Sequence, residues 1–218
     1  PPFSAFMRLD DRYLMCASPE RYLKKTGAKV ISQPIKGTAK RGQSPHEDEK
    51  LAEKLANDAK ERAENIMIAD LVRNDLSKSA KKGSVKVEEL CKVYTYKQVH
   101  QMISTIVSEV DEDKSPLDLI AETFPMGSMT GAPKVSAMKI IEELEETKRG
   151  LYSGAVGYFG PNGDFDFNVV IRSILYNAKS KYISYSVGSA ITSRSIPENE
   201  YQECLLKAKA MRSVLEKS

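Results

Sequence analysis

The 218-residue chain is predicted to be an α+β protein of antiparallel sheets packed with helices. Three observations carry that prediction. Short alternating apolar stretches follow one another across tight turns, the pattern of antiparallel hairpins. Long helix-forming stretches stand between groups of strands instead of alternating with single ones, which disfavours a doubly wound parallel sheet. Apolar residues make up 41% of the chain and the net charge is only +3, enough burial for a sizeable core and too little repulsion for disorder.

The elements follow in order. Residues 3–16 read as strand, turn and strand around Asp10-Asp11, with the second strand over Arg12–Ser18, and residues 28–33 read as another. Pro34-Ile35-Lys36-Gly37-Thr38 interrupts the alternation. Ser44 is a good helix N-cap, Pro45 suits the first helical position, and Glu47 completes a capping box. Helix formers then run to about Ser77, as two helices or one bent one, and Gly83 ends the region. Strands are predicted over 84–89 and 93–109, the second placing Val99, Ile103, Thr105 and Val107 on one face and His100, Met102, Ser104 and Ile106 on the other. A short helix starts at Ser115-Pro116. A punctuated loop over 124–133 leads into a helix predicted over 133–148 and stopped by Gly150. A β meander follows, with strands at 153–159, 165–176 and 181–187 and turns at Pro161-Asn162-Gly163-Asp164 and 177–180. The last helix starts near Pro197.

Composition narrows the function classes. Basic and acidic residues, 33 against 30, are interspersed, and no basic block carries aromatics, so nucleic-acid binding gains no support. No run of 18 apolar residues suggests a membrane span. Pro1-Pro2-Phe3-Ser4 shows no signal-peptide pattern. Cys16, Cys91 and Cys204 form neither a metal-spaced pair nor an even framework, which points to a reducing cytoplasm.

Five constellations carry possible chemistry. Glu61 and Glu64 are three apart on a predicted helix, as are Glu200 and Glu203, so each pair shares a face. They are either solvated surface acids or, gathered together, ligands of a hard divalent cation such as Mg²⁺. Lys36 sits between Pro34 and Gly37 and is either a turn lysine or a nucleophile, the latter needing a nearby base. In the 165–175 stretch the alternation puts Arg172 in mid-strand, opposite the Phe165, Phe167, Val169, Ile171 face. Such an arginine needs a carboxylate partner, from a ligand or from the protein. Gly127-Ser128-Met129-Thr130-Gly131-Ala132-Pro133 is either a tight turn or an anion-binding helix entry without a phosphate-loop spacing. His100 is either a satisfied core residue or a functional one.

Taken in order, these segments resemble the chorismate-utilising enzymes over nearly the whole chain. The match runs through Ser18-Pro19-Glu20-Arg21, Pro34-Ile35-Lys36-Gly37-Thr38 with Arg41-Gly42, and Lys60-Glu61-Arg62-Ala63-Glu64 into Met67-Ile68-Ala69-Asp70-Leu71-Val72-Arg73-Asn74-Asp75-Leu76. It continues through Val99-His100 with Ser104, Phe124-Pro125, Gly131-Ala132-Pro133-Lys134, Tyr152-Ser153-Gly154-Ala155-Val156-Gly157, Ile171-Arg172 and Pro197-Glu198 with Glu200 and Glu203.

The resemblance implies the chorismate-binding fold and work on chorismate, a dicarboxylate. Lys36 separates the branches: the anthranilate and isochorismate enzymes usually have Ala there, and the Pro-Ile-Lys-Gly-Thr form is similar to the aminodeoxychorismate synthase component I branch. Implied roles follow for the catalytic group Lys36, Glu20 and His100. Lys36 is the nucleophile at C2 of the ring, Glu20 the acid for the departing 4-hydroxyl, and His100 a binding group near the pyruvyl moiety. Ammonia then adds at C4. Tyr152, Arg172, Gly188, Thr130, Gly131 and Lys207 would bind substrate. Mg²⁺ would lie on Glu64 and Glu203, with Glu61 and Glu200 behind waters. A glutamine amidotransferase subunit is the implied source of ammonia. Anthranilate synthase component I and a non-catalytic glutaminase-docking module are the alternatives. Departures from the family pattern are Asn65 for a common His, Ala190 for Gly, Arg194 for Asp and Cys204 for Thr. Residues 1–218 are expected to form the C-terminal part of a catalytic domain whose N-terminal region lies elsewhere, and the part alone to be poorly stable or inactive for want of sheet partners.

Overall fold

The computed structural model describes residues 1–193 and 195–216; Arg194, Lys217 and Ser218 lie outside the described residues. The chain divides into two compact units. One comprises Pro1–Pro19, Lys148–Val156 and Asn168–Ser218, the other Glu20–Thr147 and Gly157–Phe167.

The first unit is built on a four-stranded antiparallel sheet. Its strands are β1 (Phe3–Leu9), β2 (Arg12–Ser18), β10 (Ser173–Asn177) and β11 (Tyr182–Ser184), paired in that order. The hairpin turns at Asp10, which takes a positive φ of 52°, a conformation aspartate tolerates. Leu14, Cys16, Val156 and Val170 form the core, and Ala5 and Leu175 pack against it. Helix α5 (Pro197–Leu215) ends the chain, with Pro197 in its first turn as the sequence predicts.

A seven-stranded sheet, most of it in the second unit, is made of β3 (Arg21–Thr26), β4 (Lys29–Gln33), β5 (Ile35–Lys40), β6 (Lys86–Thr95), β7 (Val99–Glu109), β8 (Ala155–Phe159) and β9 (Phe165–Val169). Strand β7 is its axis. One edge of β7 pairs with β6, and the other pairs successively with β4 and β5, which are separated only by Pro34. Both faces of β7 are buried from Met102 to Ser108, with His100, Met102, Ser104 and Ile106 on one and Ile103, Thr105 and Val107 on the other. Helices α1 (Pro45–Asn57) and α2 (Ala59–Ser77) cover part of this sheet, with Leu55, Cys91 and Met102 at one centre of packing. Ser44 caps α1 by accepting from Glu47 N; the Glu47 carboxylate reaches back one residue further than a capping box requires, to Gln43 N at 2.8 Å. Asp58 separates the two helices and caps α2, accepting from Lys60 N and Glu61 N. Helices α3 (Pro116–Thr123) and α4 (Lys134–Leu144) complete the unit.

Five expectations are corrected. Arg21–Thr26 is a strand; Arg21 forks onto Asp166 of β9 and also reaches Gln33, so its charge is paired inside the sheet. Ile35–Lys40 is a strand and not a turn. The β6–β7 turn falls at residues 96–98, where Tyr96 N donates to Val99 O, later than the alternation implied. Helix α4 stops at Leu144, because Glu142, Glu143, Glu145 and Glu146 crowd the negative end of its dipole. The predicted 165–176 strand is two strands, β9 in one sheet and β10 in the other, broken at residues 170–172. Arg172 therefore lies at a break with a φ of 53°, not in mid-strand.

Candidate active site

The second unit brings Lys36, Glu20 and the 127–131 loop together. Ile35 opposes Ile103 and Thr38 opposes Gln101, so Lys36 and Gly37 share one partner position, Met102. That is a β-bulge, the device that re-aims a side chain. Gly37 has φ +90°, and a Cβ there would lie 3.2 Å from Leu55 Cδ1 and 3.3 Å from Glu61 Cβ. Only glycine lets β5 close on α2 at this height. Glu20, between β2 and β3, is 6% exposed. Burial pushes its carboxyl up to about 7, against the opposing effects of a hydrogen bond with the Ser128 side chain and the charge of Lys36. Ser128 belongs to a single 3₁₀ turn, Gly127–Met129. The Thr130 hydroxyl closes that turn by donating to Met126 O at 3.2 Å. Lys134 anchors the loop: its ammonium donates to Pro125 O at 2.7 Å and Thr123 O at 3.1 Å and pairs with buried Asp75.

The Asp58 cap places Glu61 and Glu64 in the first turns of α2. Glu64 stands 4.0 Å from Lys60. On α5, Glu200 is buried and bonded by Ser189 Oγ, while Glu203 is paired with Lys207.

The first unit gathers its own predicted residues. Lys207 Nζ donates to Gly188 O at 2.8 Å, and Arg172 Nη1 donates to Lys207 O at 3.2 Å. A Cβ on Gly188 would lie 2.9 Å from the Tyr152 hydroxyl, so glycine is what admits that ring. Burial lowers the affinity of Arg172 for its proton, and Glu203 and Tyr152 act in the opposite sense. Tyr152, Arg172, Gly188, Glu203 and Lys207 thus converge from well-separated segments. A guanidinium with a tyrosine hydroxyl and an ammonium is suited to grip a carboxylate.

His100 is 1% exposed. Its Nε2 meets Asp48 Oδ1 at 2.9 Å and its Nδ1 meets Thr95 Oγ1 at 2.9 Å, so both ring nitrogens have protein partners. Asp48 also accepts a fork from Arg41 and a bond from Gly42 N. Those donors hold its carboxyl well below the usual range, the Arg41 bonds most of all. In this structure His100 is the satisfied core histidine of the two readings.

The arrangement is a buried acid beside a half-buried amine in one unit and a cationic carboxylate grip in the other. A sequence model described as chorismate binding enzyme matches residues 1–213. The chain belongs to the chorismate-binding enzyme family. Within that family it is 47% identical to a probable chloroplastic aminodeoxychorismate synthase of Oryza sativa subsp. japonica, over 99% of this chain and 24% of that protein. It is 42% identical to aminodeoxychorismate synthase component 1 of Bacillus subtilis (strain 168), over 100% of this chain and 46% of that protein. Among solved structures, anthranilate synthase component I of Streptococcus pneumoniae TIGR4 superposes with a TM-score of 0.84 at 34% identity, over 96% of this chain and 46% of that one. The chain thus spans less than half the length of these relatives.

For a cation, the donors fit in kind. Glu61, Glu64, Glu200 and Glu203 are all carboxylates, the oxygen donors that Mg²⁺ prefers. Within either unit, among the described residues, no three acidic, cysteine or histidine side chains cluster as a preformed cage. Among the described residues no helix is long and apolar enough to cross a membrane. Asp48, Asn65, Asp75 and Lys134 were given no chemical role by sequence reasoning; only Asp75 and Lys134 lie in the matched segments, and Asp48 meets His100, Asn65 meets Lys36 and Asp75 meets Lys134 across long stretches of chain.

Proposed function

We propose that the chain carries the chemistry of an aminodeoxychorismate synthase component I: amination of chorismate at C4 with ammonia to 4-amino-4-deoxychorismate, which serves 4-aminobenzoate and folate synthesis. The observation that carries this reading is the pairing of Lys36, on its bulge, with a Glu20 carboxyl titrating near neutrality. A lysine attacks only as the free amine. Moving one proton from Lys36 to Glu20 yields the amine nucleophile and the general acid in the same step. The Lys36 amine then bonds to C2 of the ring, the ring electrons shift, and the C4–O bond breaks as Glu20 protonates the departing hydroxyl. Ammonia bonds to C4 and the C2–N bond to Lys36 breaks, restoring the lysine.

Tyr152, Arg172 and Lys207 are the proposed carboxylate grip, with Gly188 beside Tyr152 and with Thr130 and Gly131 in the Ser128 loop as further binding positions. Glu61, Glu64, Glu200 and Glu203 are the proposed Mg²⁺ carboxylates; the cation, when bound, supplies Lewis acidity toward a substrate carboxylate. His100, with both ring nitrogens bonded to Asp48 and Thr95, is given no direct contact with substrate in this reading. A glutamine amidotransferase subunit is the proposed ammonia source, in keeping with the name component 1 borne by the Bacillus relative. The free cysteines accord with a reducing cytoplasm.

The test uses the full-length protein with chorismate, Mg²⁺ and an ammonium salt, followed by the lyase that releases pyruvate. Formation of 4-aminobenzoate is expected; formation of anthranilate instead overturns the assignment. Lys36→Ala is expected to abolish a chorismate-derived adduct seen by mass spectrometry, and an adduct persisting on another residue refutes the role of Lys36.

A further inference from the structure

We propose that Asn65 is a positioning residue for Lys36: its side-chain amide holds the β5 bulge in shape and fixes that bulge against the helix bearing Glu61 and Glu64. The proposal rests on the reading of Lys36 as nucleophile. Asn65 is fully buried, at 0% exposure. Its Nδ2 donates to Met102 O at 3.2 Å and to Lys36 O at 3.4 Å. These carbonyls lie on the two strands at the one place where their pairing slips.

The other end of the amide repeats the arrangement on the opposite edge of β7. Ser104 Oγ donates to Asn65 Oδ1 and itself accepts from Cys91 N at 2.9 Å. Cys91 Sγ adds a contact to Asn65 Oδ1 at 3.7 Å. Cys91 has a φ of 53° and lies where the β6–β7 register slips between Glu89 and Lys92. One asparagine thus joins two irregularities on either side of the central strand, with both its nitrogen and its oxygen satisfied.

The consequence for chemistry follows from sequence position. Asn65 directly follows Glu64 and stands about one turn beyond Glu61, so its bonds fix the part of α2 that carries both carboxylates. Gly37, without a Cβ, lets Glu61 come against the bulge. A purely local fold role would need only that the buried carbonyls be satisfied. Placing the amide on the carboxylate helix ties the nucleophile and the acids to one reference point.

The experiment compares Asn65→Leu and Asn65→Ser with Leu76→Ala, a destabilising core change further along the same helix, in the full-length protein. Turnover per folded molecule and the rate of Lys36 adduct formation are measured by quench and mass spectrometry, with folded fraction taken from thermal unfolding. Loss of the donor is expected to lower both rates about 100-fold, the scale of a displacement near 1 Å, while KM for chorismate stays near the wild-type value. Leu76→Ala is expected to lower Tm with wild-type turnover per folded molecule. Asn65 variants that lose only Tm, like Leu76→Ala, overturn the proposal. If Asn65→Leu does not fold, Asn65→Ser decides by the same ratio. Absence of any Lys36 adduct in the wild type is a distinct result: it removes the nucleophile reading and this proposal with it.

Discussion

Glu20→Gln tests the electrostatics of the site without relying on substrate. The Glu20 carboxyl titrates near 7 in the folded protein against an ordinary 4.5. Below 4.5 both folded and unfolded chains hold the proton, and the group is neutral to stability. As pH rises through the window from 4.5 to 7, the unfolded chain releases its proton while the folded chain retains it, so stability falls. Each pH unit of that difference corresponds to about 1.4 kcal/mol, which gives a loss of about 3 kcal/mol once pH exceeds the folded value. The side chain is 6% exposed, so solvent screening does not reduce the figure greatly. Glutamine is neutral throughout and removes this slope. Urea unfolding of wild type and Glu20→Gln across the window is expected to show the variant gaining about 3 kcal/mol on the wild type from the acid to the alkaline end. Turnover should nevertheless fall by about 10²- to 10⁴-fold, the usual contribution of a general acid. Parallel pH–stability curves for the two proteins would refute the argument, because they would mean that Glu20 ionises equally well folded and unfolded.

Two further outcomes follow from packing. Gly37→Ala combines a φ of +90° with a Cβ 3.3 Å from both Glu61 Cβ and Glu61 Oε2. It is expected to cost about 1–3 kcal/mol and to weaken Mg²⁺ binding in a calorimetric titration; unchanged stability and affinity would show that β5 does not bear on Glu61. Asp75→Ala strands Lys134, whose side chain is 12% exposed, with only carbonyl partners. It should cost about 3–5 kcal/mol in chemical denaturation, and a double variant with Lys134→Met should recover much of that loss. Simple additivity of the two changes would deny the coupling.

What the sequence disclosed and what it hid divide by range. The Asp10 hairpin, the Ser44 cap, the Ser115-Pro116 start and the Pro197 helix are local signals, and the structure holds all four. Strand β3 lacks a clean apolar alternation, carrying Arg21, Lys24 and Lys25, and its Arg21 is answered only by Asp166, far along the chain. The break before Arg172 carries neither glycine nor proline; it exists because the chain leaves one sheet for another. The β5 interruption was visible, but its meaning as a bulge needed β7 opposite it. The residues proposed for chemistry were legible through the family pattern. The groups that orient them were not. Asp48 with His100, Asn65 with Lys36 and Asp75 with Lys134 are pairings of tertiary structure, and no spacing rule announces them.

The pairing of β2 with β10 has a temporal side. Cys16 and Ile171 meet across 155 positions of chain. A ribosome adding about 5–20 residues per second needs roughly 8–30 s to pass from one to the other. For that interval the β1–β2 hairpin exists with one long edge unpaired, and Phe6, Met7 and Leu9 are exposed even in the finished fold. A bare edge with apolar neighbours is a template for other nascent chains. The β1–β2 hairpin therefore waits for its second partner until β10 has emerged, and the demand on chaperones spans the synthesis of everything between them.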